Sequence, residues 1–511
     1  MHPAALGLRR ALRPRVLRPD HIRRYSSQQP GSSIAQLLQW SPPAEVENVV
    51  VNGFVRSVRS MKSRRFVSLG DGSSLAALQA LVGADKAEGL AVGAAVRLTG
   101  SWVASPGAGQ SHELHVSKVE VLGPSDAKTY PIQKKYQSPE YLRTMPHLRP
   151  RTPVNAALLR LRSDAIASLT HFFANRAFTQ THPPIITSSD CEGAGEVFTV
   201  TPASETPDSV LKDGEFFRAK KYLTVSTQLH LEALSQAVGN VWTLSPAFRA
   251  EKSDTSRHLS EFYMLEAEMA FADDLSIVMD LTEDMLRSLS TSLFGSAVVQ
   301  ELLSRPYNAD SGFAPPDEVK RRWEGLMQTS WPRITYTEAI ALLEEKADLF
   351  KLKPSWGAGL QSEHEKYIAE HVGGGKPVFV TNYPRDMKAF YMRENPKPTS
   401  PGSDTNSPPG PTVECFDLLV PELCEIAGGS MREHRLEPLL EAMKRHEIIS
   451  QQDPDAALEG GLDWYLDLRR WGSPPHGGFG LGFDRLLCYL SGVQTIRDIV
   501  AFPRWVGRCD C

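Results

Sequence analysis

Cysteine is scarce. Six are spread over 511 residues, at Cys191, Cys415, Cys424, Cys488, Cys509 and Cys511, and no two stand in C-x-x-C spacing. That excludes a cysteine-based zinc module and a disulfide framework, and fits a reducing compartment. Long apolar runs are also missing. None approaches the ~18–20 residues needed to span a bilayer, so no membrane association is expected. Neither sign of charge dominates: 56 Lys and Arg stand against 60 Asp and Glu, for a formal net charge of −4. Any nucleic acid must therefore be held by local patches rather than bulk charge. The phosphate-loop signature is lacking as well. Val372 to Lys376 offers three glycines and a lysine, but the G-x-x-x-x-G-K-[ST] spacing is absent and Pro377 stands where Ser or Thr is required. The remaining composition, 41% apolar and 23% charged, is that of a globular protein with room for two or three domains.

Acids are nearly absent from residues 1–27, where Asp20 is alone among seven arginines (Arg9, Arg10, Arg13, Arg15, Arg18, Arg23 and Arg24) with leucines between them. This is the pattern of a mitochondrial transit segment, and it predicts a matrix location. The segment carries +6, so its removal takes the chain from −4 to −10.

Residues 28–44 are polar and rich in proline, which reads as a linker. From Glu47 to Gly123 follow about five short β segments with Gly-rich turns, the spacing of a small barrel, so residues 28–123 form the first domain. Residues 124–150 read as a basic, Pro-rich hinge, and residues 151–511 as a second domain. Thr152 to Phe178 has helical apolar spacing, and Pro183-Pro184 leads into a short strand. Leu275 to Lys388 is mainly helical. Residues 377–392 read as strand, turn and strand, and residues 394–412 as a disordered insertion. Val413 to Glu433 reads as two strands with a break at Gly428-Gly429, and Trp464 to Arg469 as a further strand.

The most informative stretch is Asn240 to Phe271. Val241 to Arg249 and Glu261 to Phe271 alternate with a period of two, and a polar turn separates them, which predicts an antiparallel hairpin. Arg249 and Glu251 leave the first strand, Arg257 and His258 cap the loop, and Phe262 and Glu266 return on the second. Two cations, an aromatic plate and carboxylates on one platform suit a nucleotide triphosphate.

The FRAE…SRHLSEF…LE run resembles motif 2 of class II aminoacyl-tRNA synthetases in the aspartate/asparagine/lysine subgroup. His476 to Leu487, a Gly-rich strand entering a helix with Arg485, resembles motif 3, and the Pro184 region resembles motif 1. The resemblance covers roughly residues 45–507. It implies an α+β protein: an N-terminal OB-fold β-barrel that binds the anticodon, then a class II catalytic domain of antiparallel sheet flanked by helices. It also implies ATP and Mg2+ as cofactors and a homodimer formed through Pro184.

Residue by residue, the resemblance implies catalysis by Arg249 and Arg485. It places ATP against Glu251, Arg257, His258, Phe262, Glu425, Gly482, Phe483 and Asp484 as well, with adenine between Phe262 and Arg485. Asp417 and Glu425 hold the magnesium. Glu192 and Gln228 bind the substrate amino group, Arg432 donates to its side-chain oxygen, and Glu251 accepts from its side-chain nitrogen. Arg59, Phe66 and Gln79 contact tRNA, although the strand pattern alone makes Phe66 equally a barrel core residue. Leu231 stands where aspartate enzymes of the subgroup carry lysine. The loss of that cation favours an amide over an acid and points to the asparaginyl branch, with asparagine and tRNA(Asn) as substrates. An aspartyl or dual-specificity tRNA synthetase, a catalytically inactive RNA-binding paralogue and a tRNA-free asparagine synthetase are the competing readings.

Overall fold

The computed structural model describes residues 33–107, 109–188, 196–202, 216–217, 219–396, 408–449 and 461–511. The arginine-rich segment 1–27, Glu192 and most of the 394–412 insertion lie outside them. By its internal contacts the chain divides into one unit of residues 1–71 and 76–131 and another of residues 72–75 and 132–511.

The first unit is a closed barrel. Its strands are β1 (Val46–Ser60), β2 (Arg64–Gly70), β3 (Leu78–Gly83), β4 (Ala95–Ala104) and β5 (His112–Gly123), in the order β1-β2-β3-β5-β4. Alternation builds it: Val67 and Leu69 of β2, and Leu78, Ala80 and Val82 of β3, are fully buried, and the residues between them face out. The expected linker 28–44 contains a helix instead, α1 (Ile34–Gln39). Ser33 and Gln36 form a capping box, Ile34 and Leu37 are buried in the barrel core, and Trp40 stacks on Trp102 with centroids 6.5 Å apart. Polar composition hid a short helix whose two apolar side chains close the barrel.

The second unit is built on an eight-stranded sheet. Its members are β6 (Thr179–Gln180), β9 (Val241–Phe248), β10 (Glu261–Ala270), β11 (Arg333–Thr335), β12 (Val378–Thr381), β13 (Cys415–Val420), β14 (Cys424–Met431) and β15 (His476–Gly482). The order is β11-β12-β13-β14-β15-β10-β9-β6, parallel only at β11–β12 and β6–β9. A separate ribbon pairs β7 (Ile186–Thr187) with β8 (Tyr222–Leu223). Three helices matter most around the sheet core: α2 (Pro153–Asn175), α3 (Gln228–Val238) and α4 (Leu275–Leu293). Leu161, Phe173 and Leu286 of these helices share one core with Leu265 and Phe479 of the sheet. On β10, Leu265, Ala267 and Met269 alternate with Met264, Glu266 and Glu268, so one face of the strand joins the core and the other lines a cavity.

Three local expectations are corrected. Asp463–Arg470 is a helix, α5, not a strand: Tyr465, Leu466 and Arg469 are its buried residues, a spacing of one and four that fits a helix face. After β12 the chain does not return as a strand, because Pro384 precedes a 3-10 turn at Arg385–Met387. Gly428 and Gly429 lie within β14 rather than breaking it.

Candidate active site

The hairpin forms as the alternation predicts. β9 and β10 pair antiparallel from Phe248↔Glu261 to Val241↔Glu268, with the polar turn beyond them. Glu266 fixes a third element to this floor: its carboxylate accepts from the Thr227 amide at 3.0 Å and from the hydroxyls of Ser226 and Thr227. The start of α3 is thereby tied beside β10, and Gln228 and Leu231 meet the sheet.

The first cavity, of about 200 Å³, is lined by Gln228, Leu231, Arg249, Glu268, Asp417 and Arg432, among others. Arg432 follows β14 and reaches across β15 to Glu268, with Nε–Oε1 3.2 Å and Nη2–Oε2 3.0 Å. Burial opposes the Arg432 charge, but Glu268 outweighs it and raises the guanidinium pKa further. Behind lies a second buried set. Glu232 accepts from Gln228 Nε2 at 3.1 Å, Tyr465 Oη at 2.8 Å and Arg469 Nη2 at 2.6 Å, and its Oε2 lies 3.0 Å from His476 Nε2. Burial works against Glu232, yet Arg469 and then His476 prevail and hold its carboxyl below the usual range. Gln228 is therefore oriented by a fixed charge network.

The second cavity, of about 150 Å³, is lined by Arg249, Glu251, Arg257, His258, Phe262, Glu425, Gly482, Asp484 and Arg485, among others. Arg249, Met264, Glu425 and Gly480 belong to both cavities, so the two are continuous. Arg485 is the third residue of α6 (Phe483–Ser491), and its Nη1 donates to the Glu425 carbonyl at 3.1 Å. The Arg249 guanidinium lies 5.6 Å from the Phe262 ring centroid. Phe483 is fully buried at the start of α6 and does not line the cavity, a correction to its expected nucleotide contact.

Glu251 departs from the expectation that it shares a cavity with Arg432. It lines the second cavity, near His258 Nε2 at 3.2 Å and Arg249 Nη1 at 3.9 Å, and is not among the residues that line the first. The turn after β9 carries it away from Arg432. Glu268 lies beside Arg432 instead. Its signal was in the sequence: it continues the Phe262, Met264, Glu266 alternation on the same face.

The acid strands are placed as a pair. A Cβ on Gly428 would lie 3.5 Å from Asp417 Oδ1 and 3.6 Å from Glu425 Oε1, so both carboxylates flank one glycine. Lys388 Nζ binds the two Asp417 oxygens at 2.9 and 2.8 Å. Glu425 has no ion pair among the described residues, and burial, followed by Asp417, raises its carboxyl above the usual range. Hard oxygen donors of which only Asp417 is paired, with Lys388, suit a divalent cation. Among the described residues no three His, Cys, Asp or Glu side chains form a closed metal cage.

The tRNA candidates lie on the outer face of the barrel. Arg59 pairs with Phe66 across β1 and β2, its guanidinium 5.6 Å from the ring centroid, and Gln79 pairs with Ser68 one step along. Val67 points inward, so Phe66 is not a core residue. Gln79 Nε2 donates to Glu113 Oε2 at 3.2 Å. Pro184 is exposed, as are Ile185 and Ile186 after it and Leu159 and Ile166 on α2. No described helix is long and apolar enough to cross a membrane.

An antiparallel sheet, a cation-bearing hairpin turn and a Gly-rich strand entering an arginine-bearing helix define a class II tRNA synthetase catalytic domain. The family model for tRNA synthetases class II (D, K and N) matches residues 138–506. The chain is 43% identical over 468 residues to the asparagine–tRNA ligase of Geotalea uraniireducens (strain Rf4), covering 90% of this chain and 95% of that protein. It is 42% identical over 475 residues to the mitochondrial asparagine–tRNA ligase of Schizosaccharomyces pombe, covering 92% and 96%. The crystal structure of asparaginyl-tRNA synthetase from Pyrococcus horikoshii complexed with asparaginyl-adenylate superposes with a TM-score of 0.76 at 29% identity, covering 93% of this chain and 98% of that one. The chain belongs to the class II tRNA synthetases of the D, K and N group, within the asparaginyl-tRNA synthetase family.

Proposed function

We propose that this protein attaches asparagine to tRNA(Asn) in mitochondrial translation, through an asparaginyl-adenylate made from ATP. The observation that carries the reading is the junction of the two cavities at Arg249, with Leu231 and Arg432 on one side and Phe262 and Arg485 on the other. Gln228 receives the α-amino group. Arg432 donates to the side-chain oxygen, and Glu268, held beside it, is the acceptor on hand for the amide nitrogen. The apolar Leu231 wall gives a second carboxylate oxygen no cation, so aspartate is left with an unmatched charge.

The substrate α-carboxylate attacks the α-phosphorus in line; the new O–P bond forms as the bond to pyrophosphate breaks. Positioning and charge stabilisation carry the step. Arg249 faces the α-phosphate, Arg257, His258 and Arg485 face the β/γ end, and Phe262 and Arg485 sandwich adenine. Glu425, with Asp417, would hold Mg2+, which would supply charge neutralisation of the triphosphate when bound. The terminal ribose hydroxyl of tRNA then attacks the mixed anhydride and releases AMP.

Anticodon contact falls to Arg59, Phe66 and Gln79 on the barrel. Exposed Ile185 and Ile186 after Pro184, and exposed Leu159 and Ile166 on α2, are apolar surface that suits a second copy of the chain. The arginine-rich residues 1–27 and the S. pombe relative support a mitochondrial location. Pyrophosphate exchange measured with each of the twenty amino acids tests the assignment. Exchange dependent on asparagine is expected; exchange dependent on aspartate, or none with any amino acid, overturns it.

A further inference from the structure

Asp484 precedes Arg485 and lines the nucleotide-side cavity, yet both of its oxygens are already engaged. Oδ2 accepts from the Tyr263 backbone N–H at 2.7 Å, and Oδ1 lies 2.5 Å from Arg162 Nη1. Asp484 is 1% exposed and Arg162 18%. The same guanidinium sits 5.0 Å from the centroids of both the Tyr263 and Phe483 rings. One carboxylate therefore joins three elements: the start of β10, the first turn of α6 and the middle of α2.

The neighbours of these contacts are the proposed nucleotide plates. Tyr263 follows Phe262 on β10, and Asp484 sits between Phe483 and Arg485 on α6. Rotating α6 about its first turn moves Arg485; sliding the start of β10 moves Phe262. Asp484 lies near the positive end of α6, where its charge is favoured, and its bond to the Tyr263 N–H extends the tie between α6 and β10 beyond the last β10–β15 pair, Met264↔Gly482. Arg162 adds a further tie, because a planar, always-charged donor held against two rings has few alternative placements.

We infer that Arg162, on the helix of motif 1, is a positioning residue for the nucleotide, acting through Asp484 to fix the gap between Phe262 and Arg485. This rests on the reading of that cavity as the ATP site. It makes no contact with asparagine, whose cavity is lined by neither Arg162 nor Asp484.

The test compares Arg162→Ala, Arg162→Lys and Arg160→Ala in the full chain by asparagine-dependent pyrophosphate exchange, with KM taken separately for ATP and asparagine. Arg160 lies on the same helix and pairs elsewhere, with Glu301 at 2.7 Å, so it controls for loss of an ion pair from α2. The expected result for Arg162→Ala is a roughly ten- to hundredfold loss in kcat/KM for ATP, of the size a misplaced clamp causes, with KM for asparagine within about twofold of the parent. Arg162→Lys recovers part of the loss and Arg160→Ala shows none. Equal effects from Arg160→Ala and Arg162→Ala, or equal effects on both substrates, overturn the inference. Should Arg162→Ala fail to fold by circular dichroism, binding of a fluorescent ATP analogue to Asp484→Glu decides: unchanged affinity overturns the inference and weakened affinity supports it. Absence of exchange in the parent protein would instead be a failure of the functional reading.

Discussion

Arg432 and Glu268 face one another across Gly478, two buried charges, one just after β14 and one on β10, joined over a residue of β15 that has no side chain. A Cβ there would lie 2.1 Å from Glu268 Oε2 and 2.2 Å from the Ala267 carbonyl oxygen. The second contact is with backbone and cannot yield as a flexible side chain can.

Gly478→Ala is therefore expected to destabilise the protein by about 1–3 kcal/mol through overpacking and to raise the KM for asparagine more than that for ATP. Thermal unfolding and exchange kinetics check both parts. A stable variant with parental asparagine KM would show that the Arg432–Glu268 geometry does not set the amino-acid site.

Leu231 is 1% exposed and walls the first cavity, the one proposed to take asparagine. Leu231→Lys puts a cation into that cavity. Asparagine-dependent exchange should fall at least roughly tenfold, while the aspartate-to-asparagine ratio of kcat/KM rises. A ratio that stays constant would remove Leu231 from discrimination.

Phe66 and Arg59 form an outward plate on the barrel. Phe66→Ala should weaken tRNA binding by about 1–3 kcal/mol, the worth of one stacked base, and leave tRNA-independent pyrophosphate exchange at the parental rate. Filter binding and exchange, measured on the same preparation, separate the two steps. Unaltered tRNA affinity would move the contact elsewhere on the barrel.

Glu365 supplies a pH signature. Burial, then the neighbouring Glu425 and Asp417, raises its carboxyl from 4.5 to about 7. The folded, ligand-free protein keeps this proton where the unfolded chain has released it, so this group's contribution to stability falls as pH rises from about 4.5 to 7. Glu365→Gln removes the dependence. It should be more stable than the parent above pH 7, by roughly 2–3 kcal/mol, and equal to it near pH 4.5. Denaturant melts across that range read the difference; parallel curves would refute it.

The sequence made some of this site legible because its geometry is local. A period of two over Val241–Arg249 and Glu261–Phe271 fixes which side chains share a face, so Arg249, Phe262 and Glu266 could be grouped before any fold was known. The Gly-rich entry to Arg485 and the three-residue step from Gln228 to Leu231 are equally short-range. The misreadings also have local causes. Asp463–Arg470 is too short for its period to separate helix from strand, and α1 hides in a polar stretch with two core residues.

What the chain alone determined was which faces are apolar, where charges cluster and where glycines leave a strand open beside a charged residue, all consequences of local sequence and backbone periodicity. The tertiary structure decided the partnerships: Arg432 with Glu268, Arg162 with Asp484, Lys388 with Asp417, and Glu251 with His258 in the second cavity rather than with Arg432 in the first. Buried charges must find partners or remain costly, and the partners come from distant strands and helices that only sheet order and helix packing bring within reach.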